Sequence, residues 1–286
     1  VRPGFEHGEV PHAPEGMIRV DVEQLTSLSR VVDPRYPSNR LVLAGAVLAG
    51  LGVGVATLLG ADLEAGALSA AVGVFLAWAM ARELDPDHST SAALAMPVSL
   101  LLVLAVGPPA LLVTLGVLLG VRVAAGTVGT PMRLLDSVTF IALSAALGTS
   151  LIGAVGAAAM ISGALVSEPR SMNRVATAVM SAIAYTVVAL ITGLARTWTG
   201  PTPAEWITIG LAVAATLLLL PAAVPVSNTD RHTGTISRNR VTAARVIAGL
   251  AVVAALALTG GPGIMALAAT GAAALVGTAL RKLVRL

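Results

Sequence analysis

Cysteine is absent from the 286 residues, and charged residues make up only 12% of them. Without cysteine there is neither a disulfide nor a thiolate metal site. A soluble protein carries about twice that share of charge, roughly a quarter of its residues. Lysine is almost missing too, since Lys282 is the only one. The net charge of +3 is small and does not indicate a nucleic-acid partner.

Long uncharged runs make up most of the chain. Hydrophobic residues account for 56% of it, and apolar runs of about 18 residues or more are typical of membrane-spanning helices. The runs are continuous rather than alternating with period two, which excludes a membrane barrel of strands. We therefore expect an all-α, polytopic helical bundle of about ten helices in five hairpins, surrounded by the lipid bilayer. The predicted segments are 41–60, 65–82, 90–106, 109–126, 131–148, 150–166, 175–195, 204–224, 241–259 and 262–281.

The first forty residues differ from the rest in composition. Residues 1–16 contain three prolines and three glycines without a periodic pattern, which predicts a disordered tail. Residues 17–40 open with apolar side chains at helical spacing, which predicts an amphipathic helix on the membrane surface or against the cytoplasmic loops. Nothing before residue 41 resembles the apolar core of a signal peptide, and the start residue is open between Val1 and Met17. The transmembrane domain is expected to occupy 41–286.

Arginine residues at the segment borders predict the orientation. Cytoplasmic loops carry an excess of Arg and Lys, so Arg35 and Arg40 place the N-terminus in the cytoplasm. The stretch 131–166 decides the rest, because a single crossing would put the later arginine clusters outside. We expect two crossings, as a tight helical hairpin broken at Gly148-Thr149-Ser150, while a re-entrant hairpin would give the same parity. Both termini are then cytoplasmic, and the Ala- and Arg-rich composition predicts a bacterial plasma membrane.

Three of the four asparagines stand directly before an arginine at the start of a predicted hairpin. These pairs are Asn39-Arg40, Asn173-Arg174 and Asn239-Arg240. Asn is a good helix N-cap and Arg a good anchor in the headgroup region, so shared local chemistry explains the recurrence. A duplication of hairpin units is the alternative. The three arginines are also candidates for binding phosphate groups at the membrane border.

The densest polar cluster is the stretch 82–90 between the second and third segments. Glu83, Asp85, Asp87 and His88 offer hard oxygen ligands and one imidazole, a set that suits Mg²⁺ or Mn²⁺. We take these four as candidate catalytic residues and the last three also as candidate metal ligands, a metal that would hold a lipid or prenyl diphosphate. The alternative is a solvated turn, in which Pro86 bends the chain. The chain lacks the paired Asp-x-x-x-Asp motifs of membrane-embedded prenyltransferases.

Two charged residues and one helix break supply further binding candidates. Arg122 lies near the end of the fourth segment and Asp136 near the start of the fifth, where they could form a pair or face a site. Gly148, Thr149 and Ser150 interrupt the helical pattern, as the broken helices of transporters do where freed backbone groups coordinate a substrate. A tight outer turn of a hairpin is the alternative.

Small residues four apart predict close helix packing. Gly50-x-x-x-Gly54, Gly116-x-x-x-Gly120 and the ladder of Gly148, Ser150, Gly153 and Gly156 allow neighbouring backbones to approach. Such spacings also arise easily in a chain rich in Ala and Gly.

These patterns leave three hypotheses about function. The first is a transport-type protein, permease or channel, with a pathway lined by the central pair of short helices. The second is a membrane-embedded enzyme on a lipid or prenyl phosphate, working through the 83–88 cluster. The third is a non-catalytic scaffold that binds other membrane proteins or a second copy of itself, which the lack of ionisable residues deep in the bilayer favours.

Overall fold

The computed structural model describes residues 26–28, 32–167, 172–195, 197–230 and 234–284, and these ranges form ten helices. Within them no strand is present. The helices coincide in position with the ten segments predicted, so the all-α fold class is confirmed. They are α1 (Pro37–Leu58), α2 (Ala67–Leu84), α3 (Ser89–Val106), α4 (Leu111–Ala125), α5 (Leu134–Leu147), α6 (Gly153–Val166), α7 (Met172–Thr192), α8 (Pro203–Leu219), α9 (Arg238–Thr259) and α10 (Gly261–Val284).

Six of these helices are long and apolar enough to cross a membrane, namely α1, α2, α3, α7, α9 and α10. The other four are shorter but equally apolar. Helices α5 and α6 have 14 residues each, which corresponds to about 21 Å, less than the ~30 Å of a hydrocarbon core. The chain is thus consistent with a multi-pass membrane protein, and ten full crossings stay a prediction.

Helix boundaries follow local chemistry. Proline occupies the first turn of α1 and α8, where its missing N–H group costs nothing. Helix α8 also begins with a capping box, in which Thr202 and Glu205 satisfy each other's backbone N–H groups. Helix α4 ends at Gly126, whose φ of 65° is easily reached only without a side chain.

Glycine residues set the contact between α4 and α6. A Cβ atom on Gly120 would lie 2.2 Å from the carbonyl oxygen of Ala159, and one on Gly116 would lie 3.0 Å from Cα of Gly156. The close approach predicted for these glycines is therefore present. Helix α6 packs chiefly on α4 and α7, and α5 packs chiefly on α7, whereas α5 and α6 contact each other less. The glycine faces of α6 match α4 better than they match α5.

Successive helices run between two ends of the bundle. We call one the arginine end, formed by the segments 85–88, 126–133, 220–230 and 234–237 with the last turn of α10. We call the other the acidic end, formed by the segments 59–66, 107–110, 193–195 and 197–202 with the start of α10. The pair α5–α6 leaves the arginine end and returns to it, since Ser167, which follows α6, lies beside Met132 in the segment 126–133 that precedes α5. The stretch 131–166 therefore makes an even number of passes between the two ends, as predicted.

Helix α10 contains one π-helical stretch, Ala268–Ala272, near its middle. The stretch is fully buried, and the hydroxyl oxygen of Thr270 lies 3.1 Å from that of Thr114 on α4. Such π-turns are frequent at functional sites. Here the π-turn separates the part of α10 at the acidic end from the part at the arginine end.

The predicted disordered tail, 1–16, lies outside the described residues, as does most of the amphipathic part of 17–40. Of that part, Thr26, Ser27 and Leu28 are described, and all three are buried against the arginine end.

Candidate functional site

A cavity of about 240 Å³ opens at the arginine end between the α2–α3 turn, α8, α9 and α10. Helix α2 ends at Leu84 and α3 begins at Ser89, so the short turn holds its polar side chains close to the bundle. Three of the four residues of the predicted cluster line this cavity together with basic side chains. The ionisable residues of the lining are Asp85, Asp87, His88, Arg245, Arg281 and Lys282.

Asp85 is the centre of a hydrogen-bonded network in the cavity wall. Its side chain is almost fully buried and accepts a hydrogen bond from Nη2 of Arg281 at 2.9 Å. Ser91 also donates to it, and Nδ1 of His88 lies 3.0 Å from its Oδ1 atom. The same Nδ1 atom lies 2.8 Å from Nη2 of Arg281. The carboxylate thus fixes both the imidazole and the guanidinium at the cavity.

Asp87 anchors the turn to the chain that follows α8. Its Oδ1 atom accepts hydrogen bonds from the backbone N–H groups of Ser227 at 2.8 Å and Val226 at 3.1 Å. Burial alone would raise the pKa of Asp87, but the hydrogen bonds from Ser227 and Val226 and the nearby His88 outweigh it and hold the pKa below the ordinary 3.8. The side chain is therefore a carboxylate at neutral pH, with its oxygen atoms already engaged.

Arg245 brings a nearly buried positive charge to the same cavity. Its side chain is 7% exposed, its Nε donates to the carbonyl oxygen of Leu84 at 2.9 Å, and its Nη1 donates to that of Leu219 at 2.7 Å. These carbonyls end α2 and α8, where the helix dipoles place partial negative charge. Among the described residues no carboxylate forms a salt bridge with Arg245. Its hydrogen bonds there go to backbone carbonyls alone.

The charges of the lining do not cancel. Three cationic side chains face two carboxylates, and one of the carboxylates is engaged by backbone N–H groups. Lys282 reaches the carbonyl oxygen of Leu218 at 2.6 Å and keeps its ammonium group at the rim. An anion of one negative charge would balance this lining, and guanidinium groups are well suited to phosphate oxygens.

Glu83 does not join the cavity, which corrects the prediction that the whole 83–88 cluster converges. It is fully buried on the other side of α2, where Nε of Arg122 donates to its Oε1 at 2.8 Å and Thr127 donates to its Oε2. Glu83 lies in the last turn of α2, whereas Asp85 is the first residue beyond it and has a non-helical backbone (φ −142°, ψ 75°), so the two side chains point to different sides.

The proposed Arg122–Asp136 pair is also wrong. Arg122 bonds Glu83 and the carbonyl oxygen of Leu28, whereas Asp136 accepts hydrogen bonds from Ser27, Thr26 and the backbone of Arg133. The segment Thr26–Leu28 lies between the two charged side chains and forms hydrogen bonds with both. Both residues therefore hold this segment in place rather than facing a binding site.

The metal prediction finds no support in the described residues. No group of three His, Asp or Glu side chains is placed there so that it could hold an ion. Asp85 already binds a guanidinium and Asp87 two backbone N–H groups, which leaves few oxygen lone pairs for a divalent cation.

The central break 148–150 is packed rather than open. The N–H groups of all three residues bond carbonyls of the preceding turn, and the carbonyls of Gly148 and Ser150 accept hydrogen bonds from Thr192 and Tyr185. A Cβ atom on Gly148 would lie 2.7 Å from the carbonyl oxygen of Tyr185. These backbone groups are thus occupied by the protein itself, as expected of a tight turn.

The arginines of the three Asn-Arg pairs lie outside the cavity. Arg40 is exposed on the first turn of α1. Arg174 bonds the carbonyl oxygens of Leu165 and Ser167, and Arg240 bonds those of Val123 and Ala124. The last two therefore cap the C-terminal ends of α6 and α4.

The basic residues that line the cavity were not among the main site candidates from the sequence. Arg281 and Lys282 look like border residues of the last segment, and Arg245 like a residue one turn inside α9. Arg281 is 196 positions from Asp85 along the chain, so only the packing of α10 beside α2 and α3 brings them together. Thr278 and Arg281 share one face of α10, which was the available local signal.

A second, larger cavity of about 560 Å³ lies at the acidic end. Its charged lining residues are Asp62, Glu64 and Glu205, and the start of α10 forms one wall. Glu205 serves the capping box of α8, which accounts for its burial. No model of a protein family, no curated protein and no solved structure matches this chain.

Proposed function

We propose that this protein is a multi-pass protein of a bacterial plasma membrane that binds the phosphate group of a lipid in the cavity at the arginine end. In this proposal the arginine end and both termini lie in the cytoplasm, which follows the preference of arginine for that side. The polar mouth then lies at the level of lipid headgroups. Lipid phosphates are available there in high concentration.

The observation that carries the proposal is the environment of Arg245. A nearly buried guanidinium is costly unless an anion or several hydrogen bonds compensate it. The carbonyls of Leu84 and Leu219 supply part of that compensation. Arg281 and Lys282 add two more positive charges to the same 240 Å³, so a phosphate group would complete the balance with charge-assisted hydrogen bonds.

Binding by the purified, delipidated protein tests this, with native mass spectrometry as the readout. The probes are phosphatidic acid, diacylglycerol with the same acyl chains, and inorganic phosphate. We expect phosphatidic acid to bind and diacylglycerol not to bind. Arg281→Gln and Arg245→Gln should each weaken binding about tenfold or more, because a hydrogen bond to a charged group contributes about 1.5–3 kcal/mol.

Arg240→Gln is the matched control, since Arg240 caps α4 at the same end without lining the cavity. Equal binding of phosphatidic acid and diacylglycerol would contradict the proposal. So would equal losses in the Arg240→Gln and Arg281→Gln variants, because these would indicate attraction by the general positive charge of the surface. Tight binding of inorganic phosphate alone would assign the cavity to a soluble anion instead of a lipid.

A transport role is a second candidate, and the π-turn of α10 is the observation that favours it. Met265 at one end of α10 lines the acidic cavity, Thr278 at the other end lines the arginine cavity, and the π-turn lies between them. A shift of this helix would connect or close the two cavities.

Cysteine accessibility tests the transport role, and the natural chain offers a cysteine-free background. A transport pathway predicts that Thr270→Cys reacts with a membrane-impermeant maleimide in intact membranes. Ala272→Cys, on the opposite face of α10 and buried in the core, is the control that should stay unreactive. Absence of labelling at both positions would remove the pathway along α10.

A further inference from the structure

We infer that the cavity at the arginine end also hydrolyses the lipid phosphate monoester it binds, with His88 as the general base. The inference rests on the proposed binding function. The reaction is phosphate ester hydrolysis, and four residues of the site have a role in it. His88 is the catalytic base, Arg245 and Arg281 bind the phosphate, and Asp85 positions the imidazole.

The first observation is the placement of His88 at the cavity. Its Nδ1 atom lies 3.0 Å from Oδ1 of the almost fully buried Asp85, and its side chain is 41% exposed and lines the cavity. A carboxylate on one ring nitrogen fixes the ring and leaves the other nitrogen, Nε2, free to accept a proton. A His–carboxylate pair of this kind is a common general base in hydrolases.

The second observation is that Arg281 contacts both members of the pair. Its Nη2 donates to Oδ2 of Asp85 at 2.9 Å and lies 2.8 Å from Nδ1 of His88. Asp85 and Arg281 therefore favour opposite protonation states of Nδ1, since the carboxylate favours a proton there and the guanidinium favours a lone pair. A bound phosphate would draw the guanidinium to its own oxygens. Nδ1 would then keep its proton for Asp85, and Nε2 would become the basic atom.

The third observation is that two guanidinium groups and the proposed base, His88, line the same cavity. Arg245 enters the cavity from α9, Arg281 from α10 and His88 from the α2–α3 turn, so three elements surround the same 240 Å³. Phosphoryl transfer needs positive groups on the non-reacting oxygens and a base that orients the attacking water. The cavity supplies both, and its open end supplies water.

The reaction balances with water as the only co-reactant. The water oxygen forms a new bond to phosphorus while His88 Nε2 accepts one of its protons. The bond between phosphorus and the lipid oxygen breaks, and that oxygen leaves with the electron pair and takes a proton from solvent. His88 returns its proton to solvent, and the products are inorganic phosphate and the lipid alcohol.

Phosphate release from phosphatidic acid in nanodiscs tests the inference on the full-length protein. We expect His88→Ala to lower the rate about 100-fold or more while phosphatidic acid still binds, and added imidazole to restore part of the rate. Asp85→Asn should lower kcat more than it changes KM and should not respond to imidazole. Ser89→Ala, next in the chain and exposed, should keep the natural rate.

The outcomes separate this inference from the proposed binding function. If the natural protein binds phosphatidic acid but releases no phosphate, the hydrolysis is refuted and the binding function stands. If His88→Ala keeps the natural rate, His88 is not the base. If the natural protein does not bind phosphatidic acid, both proposals fail together. The melting temperature of His88→Ala checks that this variant is folded.

Discussion

Arg122 and Glu83 form a salt bridge of 2.8 Å between α4 and α2, and the Glu83 side chain is fully buried. Removal of one partner from a buried pair leaves an uncompensated charge, which costs about 3–5 kcal/mol. We therefore expect Arg122→Met to lower the thermal stability of the protein in detergent strongly, as measured by the loss of monodisperse protein on heating.

The double variant Arg122→Met with Glu83→Gln should be less damaging than the Arg122 change alone, since no unpaired charge remains. Arg40→Met is the control, because Arg40 is exposed at the same end. If both single changes have the same small effect, the salt bridge does not contribute to the stability of the fold.

The contact between α4 and α6 predicts that Gly120→Ala destabilises the bundle. The new Cβ atom would lie 2.2 Å from the backbone oxygen of Ala159, so the two helices must separate. Forced separation of a packed interface costs about 1–3 kcal/mol. Gly52→Ala is the matched control, since nothing lies within 4 Å of its Cβ position on α1. It should be neutral or stabilise by up to about 1 kcal/mol, and equal effects at both positions would contradict the close approach.

The lowered pKa of Asp87 predicts how the α2–α3 turn responds to acid. The folded pKa lies below the ordinary 3.8, so the stabilisation by its hydrogen bonds is complete above that pH and is lost as the pH falls through the lower folded value. Hydrogen exchange at the N–H groups of Val226 and Ser227 should therefore stay protected at pH 5. Asp87→Ala, which removes the acceptor, should expose them at neutral pH, whereas Asp62→Ala at the other end should not. Protection that disappears near pH 5 in the natural protein would contradict the assignment.

Helices α5 and α6 leave the arginine end and return to it, which is an even number of passes. This predicts the side of the membrane on which each loop lies. Single cysteines in this cysteine-free chain, at Ala61 and Gly200, should react with an impermeant maleimide added to intact cells, and one at Val224 should react only after the cells are opened. All three positions are exposed. Reaction at Gly200 only in opened cells would mean a single crossing between 131 and 166, and the membrane topology proposed here would be wrong.

Most of the helical architecture could be predicted from local properties of the sequence. Apolar length defines the helices, and Pro37, Gly126 and Pro203 mark ends that depend on a few neighbouring residues. Helix partners could not be predicted in this way. The glycines of α6 fit α4 rather than α5, and nothing in the order of the chain indicates that preference.

The candidate site was accessible from the sequence only in part. The turn at 85–88 attracts attention because its charges are adjacent in the chain. Which side chains face the cavity depends on where α2 ends: Glu83, still within the helix, reaches Arg122, and Asp85, just beyond it, reaches Arg281. Basic residues from α9 and α10 reach the cavity only through tertiary packing, and the local spacing of Thr278 and Arg281 does not show which helices meet there.

The guanidinium of Arg245 joins three helices, since it extends from α9 and bonds the last carbonyls of α2 and α8. Its orientation is therefore set before any ligand arrives, and an incoming anion meets a rigid donor that needs no ordering. Such preorganisation lowers the entropic cost of association. Lysine at this position would keep the charge but lose the planar geometry that satisfies two helix ends at once, so exchange of arginine for lysine is not conservative here.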